Sequence, residues 1–182
     1  MQGLGAWDQA GDVKERGDMG LSEDLERVAL QERELQLSRM DEQMAWEIGL
    51  QLRTIAEERG LPIVVDVRRF GQPLFYTALK GTTPDNVSWV HRKSNVVARF
   101  HRSSYGVGLT MTQRNTSLEA RGLPVNEFAS HGGSFPLAVK GTGIVGSVTV
   151  SGLPQRADHE LVIEALCRIL GRDYAELKLG AE

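Results

Sequence analysis

Cysteine is almost absent from this sequence, and its scarcity excludes several kinds of architecture. The one cysteine, Cys167, cannot form an intrachain disulfide or supply a zinc or iron–sulfur site that needs several thiolates. Such usage is typical of a reducing compartment, so we predict a cytoplasmic protein. Cys167 also falls off the apolar stripe of the helix predicted near the C-terminus, which indicates a helix edge or a subunit contact.

Long hydrophobic runs and an excess of positive charge are missing as well. No apolar run is long enough to span a bilayer, and the N-terminal segment lacks the apolar region of a signal peptide, so no membrane insertion is expected. The formal net charge is -3, and no Lys/Arg cluster alternates with aromatic residues. A nucleic-acid-binding surface is therefore not expected either.

What the sequence does contain fits one globular domain. It has 182 residues, of which 41% are hydrophobic and 25% are charged. Residues 1–20 contain five glycines and no apolar periodicity, so we predict a disordered N-terminal extension there. The domain itself is predicted to cover residues 21–172, and residues 173–182 are predicted to form a C-terminal tail.

Apolar residues recur at helical spacing in several segments. One helix is predicted from about residue 21, and a second, capped by Ser38, ends at Gly60. Thr83 with the following proline predicts the start of a third helix. Ser103 or Ser104 is a candidate cap for a short fourth helix, and a last helix extends to residue 170.

Two β-hairpins are predicted between these helices. The first covers residues 63–80, with the turn FGQP, and the second pairs residues 135–140 with residues 144–151. Since hairpins cannot form an all-parallel sheet, the predicted fold class is α+β, with helices flanking an antiparallel sheet.

The glycines of the second hairpin have the spacing of a dinucleotide-binding fingerprint. In that fingerprint the glycines follow a strand and open a helix, whose N-terminus holds the pyrophosphate. Here Gly141 and Gly143 lie in the predicted hairpin turn and Gly146 lies inside a predicted strand. We therefore reject a nucleotide site and expect Gly146 to permit a bulge or a close approach.

Several segments of the sequence resemble a known family. "GGSFPLAVKGTGIVGSVTVSGLPQRADHELV" resembles the C-terminal signature of the haem-degrading-domain family, also called HbpS-like or GlcG-like, and "VHRKSNVVARF" resembles its central helix. "GTTPDNVSWVHRKSNVVARFHRSSYGVGL" resembles a branch found in bacteria and fungi. The resemblance extends over residues 21–170. It implies a profilin-like α–β fold and assembly into a closed homo-oligomer.

The resemblance also implies a function. It implies binding of haem or another tetrapyrrole, with oxidative haem degradation in the presence of a reductant as the activity of the family name. No catalytic residue is transferred, since the residues that carry haem chemistry differ among the branches. Because aromatic residues make up only 6% of the chain, an alternative is a non-enzymatic homo-oligomeric module that binds a small carboxylate or a protein partner.

The loop before the third predicted strand is the first candidate for a ligand site. His131 is followed by Gly132 and Gly133, and its imidazole could reach a haem iron or another metal. The glycines would let a ligand approach the backbone N–H groups. The alternative is a loop histidine whose ring is bonded to a backbone carbonyl.

Asp66 interrupts the apolar segment IVVDV and needs either exposure or a cationic partner such as Arg68 or Lys93. Exposure by strand alternation is one interpretation. The other is a buried pair of Asp66 with Lys93 on a pocket wall, since both residues lie in family-like motifs. Four arginines are candidates to hold a propionate or another small anion. They are Arg68, Arg69, Arg92 and Arg99.

The remaining histidines are given structural roles. His91 is predicted to be solvated, His101 to cap the third helix, and His159 to be exposed or capping at the start of the last helix. No two histidines are four residues apart on one helix, so no sequence-local metal site is expected.

Overall fold

A five-stranded sheet organises the fold. The computed structural model describes the backbone of residues 8–180 and the side chains of residues 19–180. The strand order is β1-β4-β5-β2-β3, in which β1 pairs parallel with β4 and all other neighbours are antiparallel. The strands are β1 (Gln36–Leu37), β2 (Val64–Arg69), β3 (Gln72–Ala78), β4 (Ser134–Val139) and β5 (Gly143–Ser151).

Six α-helices and one 3₁₀ turn accompany the sheet within the described residues. They are α1 (Asp8–Glu34), α2 (Glu42–Arg59), α3 (Pro84–Phe100), α4 (Ser104–Gln113), α5 (Gln155–Leu170), α6 (Tyr174–Leu177) and the 3₁₀ turn Glu119–Arg121. The predicted α+β class and both hairpins are confirmed.

The helices have the capping residues that the sequence predicts, with one difference. Asp41, rather than Ser38, is the N-cap of α2, since its carboxylate accepts a 2.8 Å hydrogen bond from the Met44 N–H. Thr83 precedes α3 with Pro84 in the first turn, and Ser103 caps α4 through the Gly106 N–H. α2 and α5 are each followed by a glycine in the left-handed conformation.

Both chain ends differ from the sequence prediction. Helix α1 begins at Asp8, within the segment predicted to be disordered, while residues 1–7 lie outside the described residues. The second half of α1 is packed, with Val28 and Gln31 fully buried. Because the helix is nucleated there, its extension towards the N-terminus costs little free energy per residue. The predicted tail contains α6, and Leu177 and Leu179 are buried.

The main core lies between one sheet face and the helices α2 and α5. Alternate strand residues such as Val65, Phe135 and Val148 face it. Cys167 is fully buried in this core, so its predicted edge position is wrong. The reason is that α5 packs against α2, the sheet and α6, which buries more than one stripe of the helix.

The opposite sheet face is covered by α3 and is unusually polar. Its buried strand residues include Asp66, Ser134 and Thr149, and the last two share a 2.8 Å hydrogen bond between their hydroxyls. No helix starts between Gly143 and Gly146, so the rejection of a nucleotide fingerprint is confirmed. A Cβ on Gly146 would collide with the Arg68 carbonyl oxygen, and the register shifts on β4 opposite it.

Within residues 8–180, no helix combines the length and the apolar character that crossing a bilayer requires.

Candidate functional site

Trp89 on α3 is the centre of a partly exposed cluster of side chains. Its indole Nε1 donates a 3.1 Å hydrogen bond to Asp85 Oδ2, one turn earlier on the helix. The Arg92 guanidinium lies 4.4 Å from the centroid of the indole. The His131 ring meets the indole edge-on, with the centroids 5.0 Å apart. We call Trp89, Arg92 and His131 the Trp89 cluster.

The loop that carries His131 is fixed on both sides. The Ala129 N–H donates a 3.1 Å hydrogen bond to the Arg92 carbonyl, and the Gly132 N–H donates one of 3.3 Å to Gln155 Oε1. The Gly133 carbonyl accepts a 2.8 Å hydrogen bond from the Val150 N–H. The chain before His131 is thus bound to α3, and the chain after it to β5 and the start of α5.

Gly132 and Gly133 are explained by this packing. A Cβ on Gly132 would collide with the Gln155 carbonyl, and a Cβ on Gly133 would lie 2.8 Å from Lys93 Nζ. Gly133 also has a φ of 123°, which favours glycine. The two glycines therefore position His131, and the N–H of Gly132 is already engaged by Gln155.

The imidazole of His131 is exposed and carries no hydrogen bond within the described part of the chain. The alternative that its ring is bonded to a backbone carbonyl is therefore not observed. Partial desolvation at the cleft wall lowers the pKa of His131 below 6.5, and the charges of Lys93 and Arg92 lower it further. At neutral pH the ring is neutral, so one ring nitrogen offers a lone pair.

Two adjoining clefts meet at His131 and Gln155, which line both. The first cleft has a volume of about 340 Å³ and lies between α3, α4 and the loop from residue 116 to residue 131. Its apolar wall consists of Leu109, Met111, Leu118, Val125 and Phe128. The second cleft, of about 290 Å³, lies between the start of α3 and the β5–α5 turn, and Trp89 and Asp85 line it.

Arg92 is a cation of the first cleft that lacks an acidic partner. Among the described residues no carboxylate lies within ion-pair distance of Arg92, and its buried Nε has no hydrogen-bond partner. Glu119 also lines this cleft, and backbone and Ser117 hydrogen bonds lower the pKa of its carboxyl.

Lys93 does not pair with Asp66, contrary to the sequence prediction. Lys93 Nζ donates hydrogen bonds to Asp158 Oδ2 at 2.7 Å and to the Val150 carbonyl at 3.2 Å. Lys93 and Asp158 are nearly fully buried, and this desolvation lowers the pKa of Lys93 and raises that of Asp158. The pair forms the floor of the second cleft.

Asp66 is buried, and its partner is Arg68, the other of the two cations that the sequence offered. The two hydrogen bonds from the guanidinium measure 2.6 and 2.9 Å. Residues two apart on a strand share a face, so Arg68 reaches back along β2 to the carboxylate. Asp66 lines neither of the two clefts.

His159 is a core residue, and its predicted exposed or capping position is wrong. The ring is fully buried between Tyr105 and Phe135, and its Nε2–H donates a 2.8 Å hydrogen bond to Gln31 Oε1. Burial lowers the pKa of His159 to about 3. His91 is exposed and His101 caps α3, as predicted.

Sequence reasoning did not single out Trp89. The signal that it missed is the spacing of Asp85, Trp89 and Arg92, which are four and three residues apart and so share one helix face. The contact with His131 joins two segments distant in the sequence, and no local pattern could show it.

The comparison with protein families agrees with this architecture. The family described as "Haem degrading protein HbpS-like" matches residues 40–167, which include α2 to most of α5. The chain belongs to the HbpS-like family. Helix α1, which ends before the match begins, and the α6 segment lie outside this matched region.

Relatives of high identity cover nearly the whole chain. A UPF0303 protein of Acidobacterium capsulatum is 59% identical over 162 residues, which are 88% of this chain and 98% of that protein. A UPF0303 protein of Paraburkholderia phymatum is 56% identical over 163 residues, or 89% of this chain and 99% of the relative.

Solved structures share the HbpS-like fold. The Ybr137w protein superposes with a TM-score of 0.74 and 27% identity, covering 81% of this chain and 87% of its own. The Streptomyces reticuli HbpS double mutant superposes with a TM-score of 0.60 and 19% identity, covering 75% of this chain and 90% of its own. A PduOC–haem complex superposes with a TM-score of 0.57 and 15% identity, covering 66% of this chain and 88% of its own. The last two likenesses concern the fold alone.

Proposed function

We propose that this HbpS-like chain binds haem or a related tetrapyrrole beside the Trp89 cluster, where His131 would hold the iron. The observation that carries the proposal is the His131 ring, which is exposed, lines both clefts and is free of hydrogen bonds within the described residues. A porphyrin supplies four nitrogen ligands to its iron, so one protein histidine is sufficient.

The walls around His131 suit a flat, largely apolar ligand with acidic substituents. Apolar side chains of the first cleft, such as Val125 and Phe128, offer a surface for a porphyrin face. Each cleft is at the small end of the range for ligand pockets, about 300–1,000 Å³, so a tetrapyrrole would extend over both and remain partly exposed.

The comparisons support the same ligand. The family description names haem degradation, and one solved relative is a complex with haem. Bound haem supplies redox and oxygen chemistry that no side chain of the cleft has. The chain's own part is to hold the iron through His131 and to keep water from one porphyrin face with the apolar wall.

Titration of the purified protein with haemin tests the proposal. The wild type is expected to give a saturable shift of the Soret band, and His131→Ala is expected to lose the histidine-ligated spectrum. His91→Ala is the matched control, because His91 is an exposed histidine on α3 outside both clefts. A wild-type spectrum in His131→Ala would show that His131 is not the ligand.

A second candidate function is that of a homo-oligomeric module whose partner is another copy of the chain. Its support is the β3 side of the molecule, where β3 is a sheet edge and Trp46 and Leu50 on α2 are 55% and 46% exposed. Unpaired edges beside apolar side chains favour closed symmetric assembly.

Light scattering with the variant Trp46→Glu/Leu50→Glu tests the oligomer independently of haem. The wild type is expected to have a multiple of the 20.1 kDa chain mass, and the double variant a smaller mass with an unchanged far-UV circular dichroism spectrum. A monomeric wild type at micromolar concentration would contradict it.

A further inference from the structure

We propose that Arg92 is the anion-binding residue of the first cleft and that the bound ligand carries a carboxylate which Arg92 recognises. This inference rests on the proposed function for the identity of the ligand, but it adds the group that selects among tetrapyrroles. Of the four arginines that the sequence offered for this role, the structure favours Arg92.

The other three arginines are engaged or lie outside the clefts. Arg68 is bound by Asp66 through two hydrogen bonds, and Arg69 lies 3.5 Å from Glu42 and donates to the Met40 carbonyl. Arg99 is exposed and lines neither cleft.

Arg92 itself is held in place without a neutralising charge. Its guanidinium rests on the indole of Trp89 at 4.4 Å, and Trp89 is in turn anchored by Asp85. A stacked guanidinium still presents its N–H edge, whose fork matches a carboxylate. No acceptor among the described residues pairs with the Arg92 guanidinium, so a ligand carboxylate would meet no competing partner there.

The charges around the first cleft also give the ligand an orientation. Arg92 and His131 contact the same indole, so an iron ligand and an anion-binding group lie within the span of one small molecule. Glu119 lines the same cleft and repels a carboxylate. We therefore expect the acidic edge of a tetrapyrrole to lie towards Arg92 and away from Glu119.

The competing interpretation is that Arg92 only braces Trp89. A brace requires the stacking contact but no carboxylate on the ligand. The two interpretations differ in how binding responds when the carboxylates are removed from the ligand instead of from the protein.

The experiment combines ligands and variants in one cycle. Haemin, metal-free protoporphyrin IX and protoporphyrin IX dimethyl ester are titrated against wild type, Arg92→Gln and the control Arg99→Gln, with absorbance and porphyrin fluorescence as readouts. We expect the ester to bind the wild type at least about tenfold more weakly than the free acid. Arg92→Gln should weaken the free acid by a similar factor and leave the ester unaffected, while Arg99→Gln changes neither.

The outcomes separate this inference from the haem proposal. If Arg92→Gln binds the free acids as the wild type does, or if the ester binds as well as the acid, the role of Arg92 is overturned while a His131-dependent Soret shift still stands. If metal-free porphyrin binds through Arg92 but haemin shows no His131-dependent shift, His131 ligation fails and the carboxylate site remains. If none of the three ligands binds, both are overturned. Thermal unfolding of Arg92→Gln verifies that the variant is folded.

Discussion

His131 and His159 are two histidines with lowered pKa values and opposite surroundings. His131 lies exposed at the junction of two clefts, with no hydrogen bond to the described residues. His159 is fully buried and bound to Gln31. Both rings are neutral at neutral pH, but only that of His131 is accessible to a ligand. The comparison shows that accessibility, more than protonation state, separates a candidate ligand from a core residue.

Tyr105 and the Lys93–Asp158 ion pair line the two clefts at which His131 lies. The Tyr105 ring lies 5.0 Å from that of His159 and also lines the first cleft. Lys93 and Asp158 line the second cleft, and Asp158 directly precedes His159 in the sequence. Substitutions of these buried residues should affect folding, whereas substitution of the exposed His131 should affect ligand binding.

The largest expected effect is that of Lys93→Met. It leaves the Asp158 carboxylate buried without its cation, which typically costs about 3–5 kcal/mol in the free energy of unfolding. Urea denaturation at pH 7 measures this loss. The double variant Lys93→Met/Asp158→Asn should recover much of it, because no buried charge remains unpaired. A loss below about 1 kcal/mol in the single variant would show that the pair is not buried as described.

His159→Ala should destabilise the core by about 2–4 kcal/mol, since a fully buried ring is replaced by a cavity and Gln31 loses its partner. Chemical denaturation measures the change, and His91→Ala serves as the exposed control, with an effect within about 0.5 kcal/mol. Equal effects of the two variants would contradict the core position of His159.

The dependence of stability on pH sharpens the comparison further. The folded pKa of His159 is about 3, below the ordinary value of 6.5, so the unfolded chain binds this proton first as the pH falls. Stability is therefore lost between about pH 6.5 and pH 3, with a slope of up to about 1.4 kcal/mol per pH unit for one proton. His159→Gln should reduce that slope by close to one proton, and His131→Ala by less. An unchanged slope in His159→Gln would refute the lowered pKa.

The smallest expected effect on stability is that of His131→Ala. The ring is exposed and has no hydrogen bond within the described residues, so the free energy of unfolding should change by about 0.5 kcal/mol or less. Thermal unfolding with the wild type as reference measures it. A loss above about 2 kcal/mol would mean that the edge-on contact with Trp89 is structural.

Sequence patterns predicted the local elements well because their causes are local. The strand–turn–strand of residues 135–151 and the start of α3 at Thr83–Pro84 follow from turn and cap residues close in the sequence. The burial of His159 and Cys167 was missed because it depends on contacts with distant elements. For Cys167 these are α2 and α6, and for His159 α1, which supplies Gln31.

The same distinction between local and distant contacts applies to the candidate site. His131 and its two glycines are adjacent in the sequence and were recognised together. Asp66 pairs with Arg68, one of the two cations that the sequence offered. Lys93 pairs with Asp158 instead of Asp66, and a contact between such distant segments has no local sequence signal. Arg92 was one candidate among four, and only its contact with Trp89 and its place in the first cleft distinguish it.

The most direct test of the account is the rescue of His131→Ala by free imidazole. If His131 is the axial ligand, the variant loaded with haemin should lack the wild-type Soret band and recover its position as imidazole is added, while the loaded wild type changes little over the same range. His91→Ala should behave as the wild type. A variant whose spectrum already equals that of the wild type before imidazole is added would contradict ligation by His131.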